Sequence, residues 1–391
     1  MRTQTSTPAI AFDTWVLGSY ARNHGINVYA GNLLSHFRDL AAEYSVEIAP
    51  FVCSEMENTA NGFGAAPGFN PRNTRLLRRS RTWRWGGAHV LASLLKADLI
   101  FSPSCTTLCL GRPVPSVVTI HDLIPVVMPW GSRRMTQTLR FLLWWAAKFS
   151  RGVITDSVHS KNDLVHLYGV PESKVDVVYL GCDTQTFNDT PADQDLQQAM
   201  LNRLGVTRPY IVHHGVIKPY KNLKRLIQAY RLLLERNSNL DLDLVLAGPL
   251  GWEYDDVLVE ARRSENGRAR IVLTESLSNA DLAMLVKGAS LAVIPSLYEG
   301  FCLPMLESMA CGIPTIVADR SCLPEVSGGV LRYFNPESID DMAVHMEQAM
   351  EDAALRKELI AKGRSRAMEF EWRRCAEQTL AILARWARAN E

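Results

Sequence analysis

The sequence is short of several things, and each shortage removes a class of protein. No apolar run reaches the roughly eighteen residues that a membrane-spanning helix needs. Met1-Arg2-Thr3-Gln4-Thr5 lacks the apolar centre of a secretory signal, so the expectation is a cytoplasmic protein. Net charge is nearly absent: 42 Lys and Arg against 41 Asp and Glu leave +1, too little for a general nucleic-acid field. Eight cysteines, at 53, 105, 109, 182, 302, 311, 322 and 375, include no paired CxxC, which points to reduced thiols in or near the core and away from zinc. No Asp-x-Asp metal motif stands out and no P-loop spacing occurs. Neither a metal nor a bound cofactor is expected.

What is present is organised around 289–324. An apolar strand over 291–294 leads to a loop with Ser296, Tyr298 and Glu299. Gly300-Phe301-Cys302-Leu303-Pro304 then opens a helix carrying Glu307, and a second apolar run covers 313–318. Strand, loop, helix and strand make a β-α-β unit, whose ligands gather at the carboxyl ends of the strands. A carboxylate there can serve simply as a helix cap. Here Gly300, Phe301 and the prolines hold the backbone, which suits Glu299 and Glu307 to hydroxyl recognition.

The same alternation fills the 391 residues, which exceed one comfortable core. Strands are expected over 9–17, 46–53, 99–101, 116–120, 151–156, 210–214, 242–247, 271–273 and 331–334, with extended chain over 171–180. Helices are expected from Gly25 to Phe37 and over 157–167, 223–234, 338–350, 355–367 and 372–389. Polar, loosely patterned chain near 190 is the expected join. The fold class is therefore α/β, two doubly wound domains facing across a cleft. The first spans 1–189, a linker 190–206 and the second 207–370, with 371–391 a terminal helix able to close either domain.

Several places in this frame carry chemistry. Gly25, just before a helix, lets amides face a phosphate or sugar oxygen, and serves backbone geometry equally well. His121-Asp122 ends a strand, where ligand contact competes with a satisfied core histidine. Gly215, Lys218 and Lys221 lie between a strand and a helix, an arrangement that suits a diphosphate, and Pro219 favours Lys221 by limiting the turn. Over 72–85, six arginines and two tryptophans occur without an acid. That composition fits an anionic membrane surface or lipid-linked substrate, and single-stranded nucleic acid uses the same ingredients. The apolar run 141–147 is too short to span a bilayer and suits a buried helix or one lying on a surface, with burial the expected fate.

Ser296-Leu297-Tyr298-Glu299-Gly300-Phe301-Cys302-Leu303-Pro304-Met305-Leu306-Glu307, continued to Pro314, resembles the donor motif of the retaining glycosyltransferase family 4, whose two glutamates are separated by seven residues. The resemblance covers nearly the whole chain and implies the GT-B architecture of two Rossmann-like domains. It implies that Glu307 holds the donor ribose and Glu299 approaches the donor sugar. Backbone at Phe301, Cys302 and Leu303 would seat the sugar and diphosphate, and Lys221 would neutralise the diphosphate. The family usually has glycine at Cys302, and often arginine where this chain has Tyr220, so Lys218 would supply part of the missing charge. Gly25-Ile26-Asn27 looks like the family's glycine loop, and His121 like its sugar-contacting histidine.

The implied reaction is hexosyl transfer with retention, by same-face attack in which the leaving phosphate takes the acceptor proton. His121, Glu299 and Lys221 carry the catalytic roles, with no glycosidase-like nucleophile. The implied donor is GDP-mannose, with UDP-sugars open. The acceptor is a glycan or lipid-linked oligosaccharide of envelope or exopolysaccharide synthesis. The remaining partner is an anionic membrane touched peripherally, with no nucleic acid. An epimerase or phosphorylase and a non-catalytic nucleotide-sugar-binding protein are the competing readings.

Overall fold

Runs of Val, Ile, Leu and Ala bounded by turn residues become strands buried on both faces, the pattern of parallel sheets covered by helices. In the computed structural model the described residues are 7–18, 25–53, 75–77, 90, 92–93, 95–105, 114–129, 132–263 and 268–388. The chain divides into two units, Met1–Gly181 with Glu371–Glu391, and Cys182–Phe370.

The first unit runs β1 (Ala9–Asp13), α1 (Gly25–Leu40), β2 (Glu47–Cys53), β3 (Arg75–Leu77), β4 (Leu99–Ser102), β5 (Ser116–Thr119), α2 (Ile124–Val127), α3 (Arg133–Phe149), β6 (Gly152–Thr155), α4 (Val158–Tyr168) and β7 (Val175–Val177). All pairings are parallel, in the order β3-β2-β1-β4-β5-β6-β7. The order reverses between β1 and β4, which marks a crevice at their carboxyl ends. Phe12, Phe37 and Phe101 pack edge to face behind it, with Phe12 at 5.9 and 5.3 Å from the other two rings. Helix starts follow side-chain caps: Ser132 accepts the Met135 N–H and Ser157 the Ser160 N–H. Strand β1 stops at Asp13, short of the expected 17, because the chain tightens into a single 3-10 turn closed by Leu17 N–H on Thr14 O at 2.9 Å. The extended stretch expected over 171–180 is interrupted likewise, by a 3-10 turn over Glu172–Lys174. Of the basic stretch 72–85, only β3 lies within the described residues.

The second unit runs α5 (Gln194–Leu204), β8 (Tyr210–His214), α6 (Leu223–Arg236), β9 (Asp243–Ala247), α7 (Asp255–Arg262), β10 (Arg270–Thr274), α8 (Asn279–Lys287), β11 (Leu291–Ile294), α9 (Leu303–Ala310), β12 (Thr315–Ala318), α10 (Leu323–Ser327), β13 (Arg332–Phe334), α11 (Ile339–Glu351) and α12 (Ala353–Ala367). Its parallel sheet has the order β10-β9-β8-β11-β12-β13, reversing between β8 and β11. The expected linker 190–206 is instead largely α5, within this unit. Asp193 caps it with hydrogen bonds from Asp195 and Leu196 N–H, and Gly205 ends it at φ 74°. The buried pair Arg231–Glu260, at 2.6 Å, ties α6 to α7.

The last helix, α13 (Trp372–Arg388), belongs to the first unit, where it packs on α1. Two glycines make room for it. A Cβ on Gly152 would stand 2.5 Å from Trp386 Nε1, and one on Gly181 would stand 2.2 Å from the Trp372 backbone nitrogen.

Candidate active site

Strands β8 and β11 flank the reversal of the second sheet, and their exit loops carry the charged groups. β8 passes into Gly215, at φ 127°, whose N–H donates to Ala247 O at 2.9 Å. Neighbouring Gly248, at φ 145°, comes so close that a Cβ there would meet Gly215 O at 2.2 Å. A Cβ on Gly215 would lie 3.6 Å from Pro304 Cγ and 3.9 Å from Lys221 Nζ. The glycine backbone, the lysine ammonium and the amino end of α9 thus share one corner.

Lys218-Pro219-Tyr220-Lys221 forms a 3-10 turn that ends on Asn222 in the left-handed region, φ 58°. Asn222 Nδ2 donates to Pro295 O at 3.2 Å and Pro336 O at 2.8 Å. Leu297 N–H donates to Tyr220 O at 2.8 Å, so the lysine turn and the Glu299 loop are stitched together. Across that seam Lys221 Nζ donates to Glu299 Oε1 at 2.6 Å, with both side chains under a tenth exposed (8% and 9%). Burial opposes a charge on Lys221, but the Glu299 carboxylate overrides it and holds the ammonium well above its ordinary pKa. Glu299 N–H in turn donates to Ser321 Oγ at 3.0 Å. Lys218, expected to share the diphosphate charge, has its ammonium 4.0 Å from the centre of the Trp252 ring, a cation–π position.

Helix α9 begins after Phe301 and Cys302. Cys302 stands at φ 78°, which accounts for the glycine that the resembled motif prefers there. Phe301 packs edge to face on Phe370 at 5.7 Å. Leu303 is the first residue of the helix, and Pro304 in its first turn has no N–H to leave unpaired. One turn further on, Glu307 Oε2 lies 3.4 Å from His214 Nδ1. Burial, with Asp183 adding to it, pushes Glu307 up to about 7, while burial and then Lys221 push His214 down to about 4. Ser308 Oγ donates to Pro304 O and lies 3.0 Å from His214 Nε2. With that hydroxyl hydrogen committed, Nε2 carries the imidazole proton, and Nδ1 with its lone pair is the nitrogen that faces Glu307.

In the first unit, His121 follows β5 with both ring nitrogens engaged: Nδ1 with Asp156 Oδ2 at 2.6 Å, Nε2 with Pro103 O at 2.9 Å. Burial works against charge on the ring, but Asp156 raises its pKa. Tyr29 stands edge-on to it at 4.9 Å and reaches Thr119 Oγ1 at 3.0 Å. Gly25 is the first residue of α1, and a Cβ there would meet nothing described within 4 Å.

The structure therefore gathers Gly215, Lys221, Glu299, Cys302 and Glu307, and turns Lys218 to an aromatic face. His214, Ser308, Asn222 and Ser321 support them; the sequence alone gives these four no role, although His214 and Asn222 adjoin Gly215 and Lys221. Asp-x-Asp triplets do occur, at 193–195 and 241–243, but Asp193 caps α5 and Asp243 binds Thr207 N–H at the amino end of β9. Among the described residues no three His, Cys, Asp or Glu side chains converge as metal ligands.

Comparison with known proteins identifies the family. Residues 201–366 match the model described as glycosyl transferases group 1, and residues 24–186 match glycosyltransferase family 4. O-antigen chain mannosyltransferase B of Escherichia coli is 30% identical over 268 residues, 68% of this chain and 69% of that protein. The alpha-maltose-1-phosphate synthase of Mycobacterium tuberculosis is 27% identical over 335 residues, 76% of this chain and 84% of that protein. Among solved structures, Anabaena HepE in complex with UDP and glucose superposes with a TM-score of 0.72 at 18% identity, covering 97% of this chain and 100% of that one. The fold and the family matches define a GT-B glycosyltransferase. The chain belongs to glycosyltransferase family 4, group 1.

Proposed function

We propose that the enzyme moves mannose from GDP-mannose, with retention, to a hydroxyl of a glycan or lipid-linked oligosaccharide in envelope or exopolysaccharide synthesis. The observation that carries the donor site is the buried Lys221–Glu299 pair beside Gly215 and the start of α9. Lys221 and the first amides of α9 meet the diphosphate charge as the sugar–phosphate bond breaks. Glu307 takes the ribose hydroxyls. Glu299, already committed to Lys221, orients the sugar and does not attack it; the acceptor proton passes to the departing phosphate oxygen. The choice of mannose is supported by the likeness to the O-antigen mannosyltransferase. A glucosyl donor is the second reading, favoured by the likeness to the maltose-1-phosphate synthase.

A panel of GDP-mannose, UDP-glucose and ADP-glucose, read first by protection against thermal unfolding and then by transfer to lipid extract, separates the two. The expected result is the largest protection by GDP-mannose, with an α-linked mannosyl product. Protection and transfer by a glucosyl donor alone overturn the choice of mannose.

A further inference from the structure

Helix α3 does not bury its apolar run as the sequence leads one to expect. Leu142, Leu143, Ala146 and Ala147 are buried, yet Phe141 is 43% exposed, Trp144 39% and Phe149 42%. At about 100° per residue, Phe141 and Trp144 fall in the same arc as Arg133, Arg134 and Lys148, and all three cations are exposed. The rings touch one another, Phe141 to Trp144 at 6.1 Å and Trp144 to Phe149 at 5.9 Å. They form one contiguous aromatic surface with cations set among them. The sequence contains no Asp or Glu from Leu123 to Thr155. Among the described residues Arg133, Arg134 and Lys148 pair with no carboxylate, whereas Arg140 is committed to Pro125 O and Val126 O.

We propose that this outer face of α3 docks on an anionic lipid bilayer, with Phe141, Trp144 and Phe149 at headgroup depth and Arg133, Arg134 and Lys148 on lipid phosphates. Aromatic rings belong at that depth because one edge is apolar and the indole N–H finds polar partners, and cations flanking them gain from the surface potential. Charge decides between occupants. A second copy packed through the same face would set cations against cations with no acid to meet them, whereas an anionic leaflet supplies the missing charge. The face lies on an element separate from the donor site, so the proposal stands whichever sugar is transferred.

The test is sedimentation of the full chain with phosphatidylcholine vesicles and with mixed phosphatidylcholine–phosphatidylglycerol vesicles, donor absent. Three proteins are compared: the natural chain, Phe141→Ser with Trp144→Ser, and Arg134→Glu with Lys148→Glu. Circular dichroism melts check that the variants fold, which is expected of exposed positions. The natural chain should bind only the anionic vesicles, and less so in high salt. The charge-reversed variant should lose about twenty-fold or more in affinity, and the serine variant about ten-fold. Equal binding to both vesicle types, or folded variants that bind like the natural chain, overturns the proposal. So does loss of binding through Arg78→Glu with Arg79→Glu alone. Light scattering that shows a dimer broken by the serine substitutions, with vesicle binding unchanged, assigns the face to self-association instead. Because no donor is present, failure here leaves the donor assignment standing, and the reverse holds too.

Discussion

Lys221 and Glu299 are 78 positions apart in the chain and meet at 2.6 Å in a place almost closed to water. Such a pair is strongly destabilising to break and nearly neutral to remove whole, because a lone buried charge has nothing to offset its desolvation. Lys221→Met should therefore cost about 3–5 kcal/mol in urea unfolding, and adding Glu299→Gln should recover much of it. Both proteins should lose thermal protection by the donor if Lys221 meets the diphosphate as proposed, since that cation is gone from each. Additive losses in the double variant would show that the two groups act separately.

Glu307 gives the donor site a pH dependence with a definite sign. Its pKa in the folded chain is raised from 4.5 to about 7, so above neutrality the ionised carboxylate lowers stability, by about 3 kcal/mol at most. The favourable contribution is whole below pH 4.5 and is lost as pH rises through about 7. Glu307→Gln should flatten the stability profile between those limits and make the donor-free protein more stable at pH 8. On the proposed assignment of Glu307 to the ribose, the hydroxyls need the carboxylate as acceptor, so donor binding should release protons. Affinity should rise about ten-fold from pH 6 to pH 8, as titration calorimetry in buffers of different ionisation enthalpy can measure. Proton uptake on binding would contradict a carboxyl whose pKa burial has raised and which must ionise to take the ribose.

Much of this frame was legible in the sequence, for one reason. Strands buried on both faces, such as β8 and β11, must be continuous apolar runs, and the groups at their exits then fall where ligands collect. Gly215, Lys221, Glu299 and Glu307 lie at or just beyond such exits, and the structure brings them together. His214 was hidden because it ends a strand that reads as core, and what makes it matter is Ser308, 94 positions away. The join at 190–206 misled because exposed helices and linkers share a polar composition; only the Asp193 cap and the αL Gly205 separate them. The run 141–147 is only half buried, against the preference for burial, since seven apolar residues on a helix cannot all face the same core.

Cys302 permits a test of strain free of side-chain chemistry. At φ 78° any Cβ crowds the backbone, at a cost of about 1–2 kcal/mol that glycine avoids. Cys302→Gly and Cys302→Ala both remove the thiol, so their difference isolates the conformational part. The glycine variant should be the more stable by about 1 kcal/mol, with donor protection kept in both. Equal stabilities would mean that the loop relaxes around the alanine.

Gly181 is the tightest constraint on the last helix. It precedes the point where the chain enters the second unit, and a Cβ on it would lie 2.2 Å from the Trp372 nitrogen and 2.5 Å from its Cα. Backbone cannot step aside as the end of a flexible side chain can, so Gly181→Ala must push α13 away from the sheet. Overpacking of this kind costs about 1–3 kcal/mol. Gly152→Ala meets the Trp386 indole, a side chain that can turn, and should cost less. Denaturant midpoints of the two variants should fall in that order. The reverse order would mean that the backbone of α13 at Trp372 gives way more readily than the indole of Trp386.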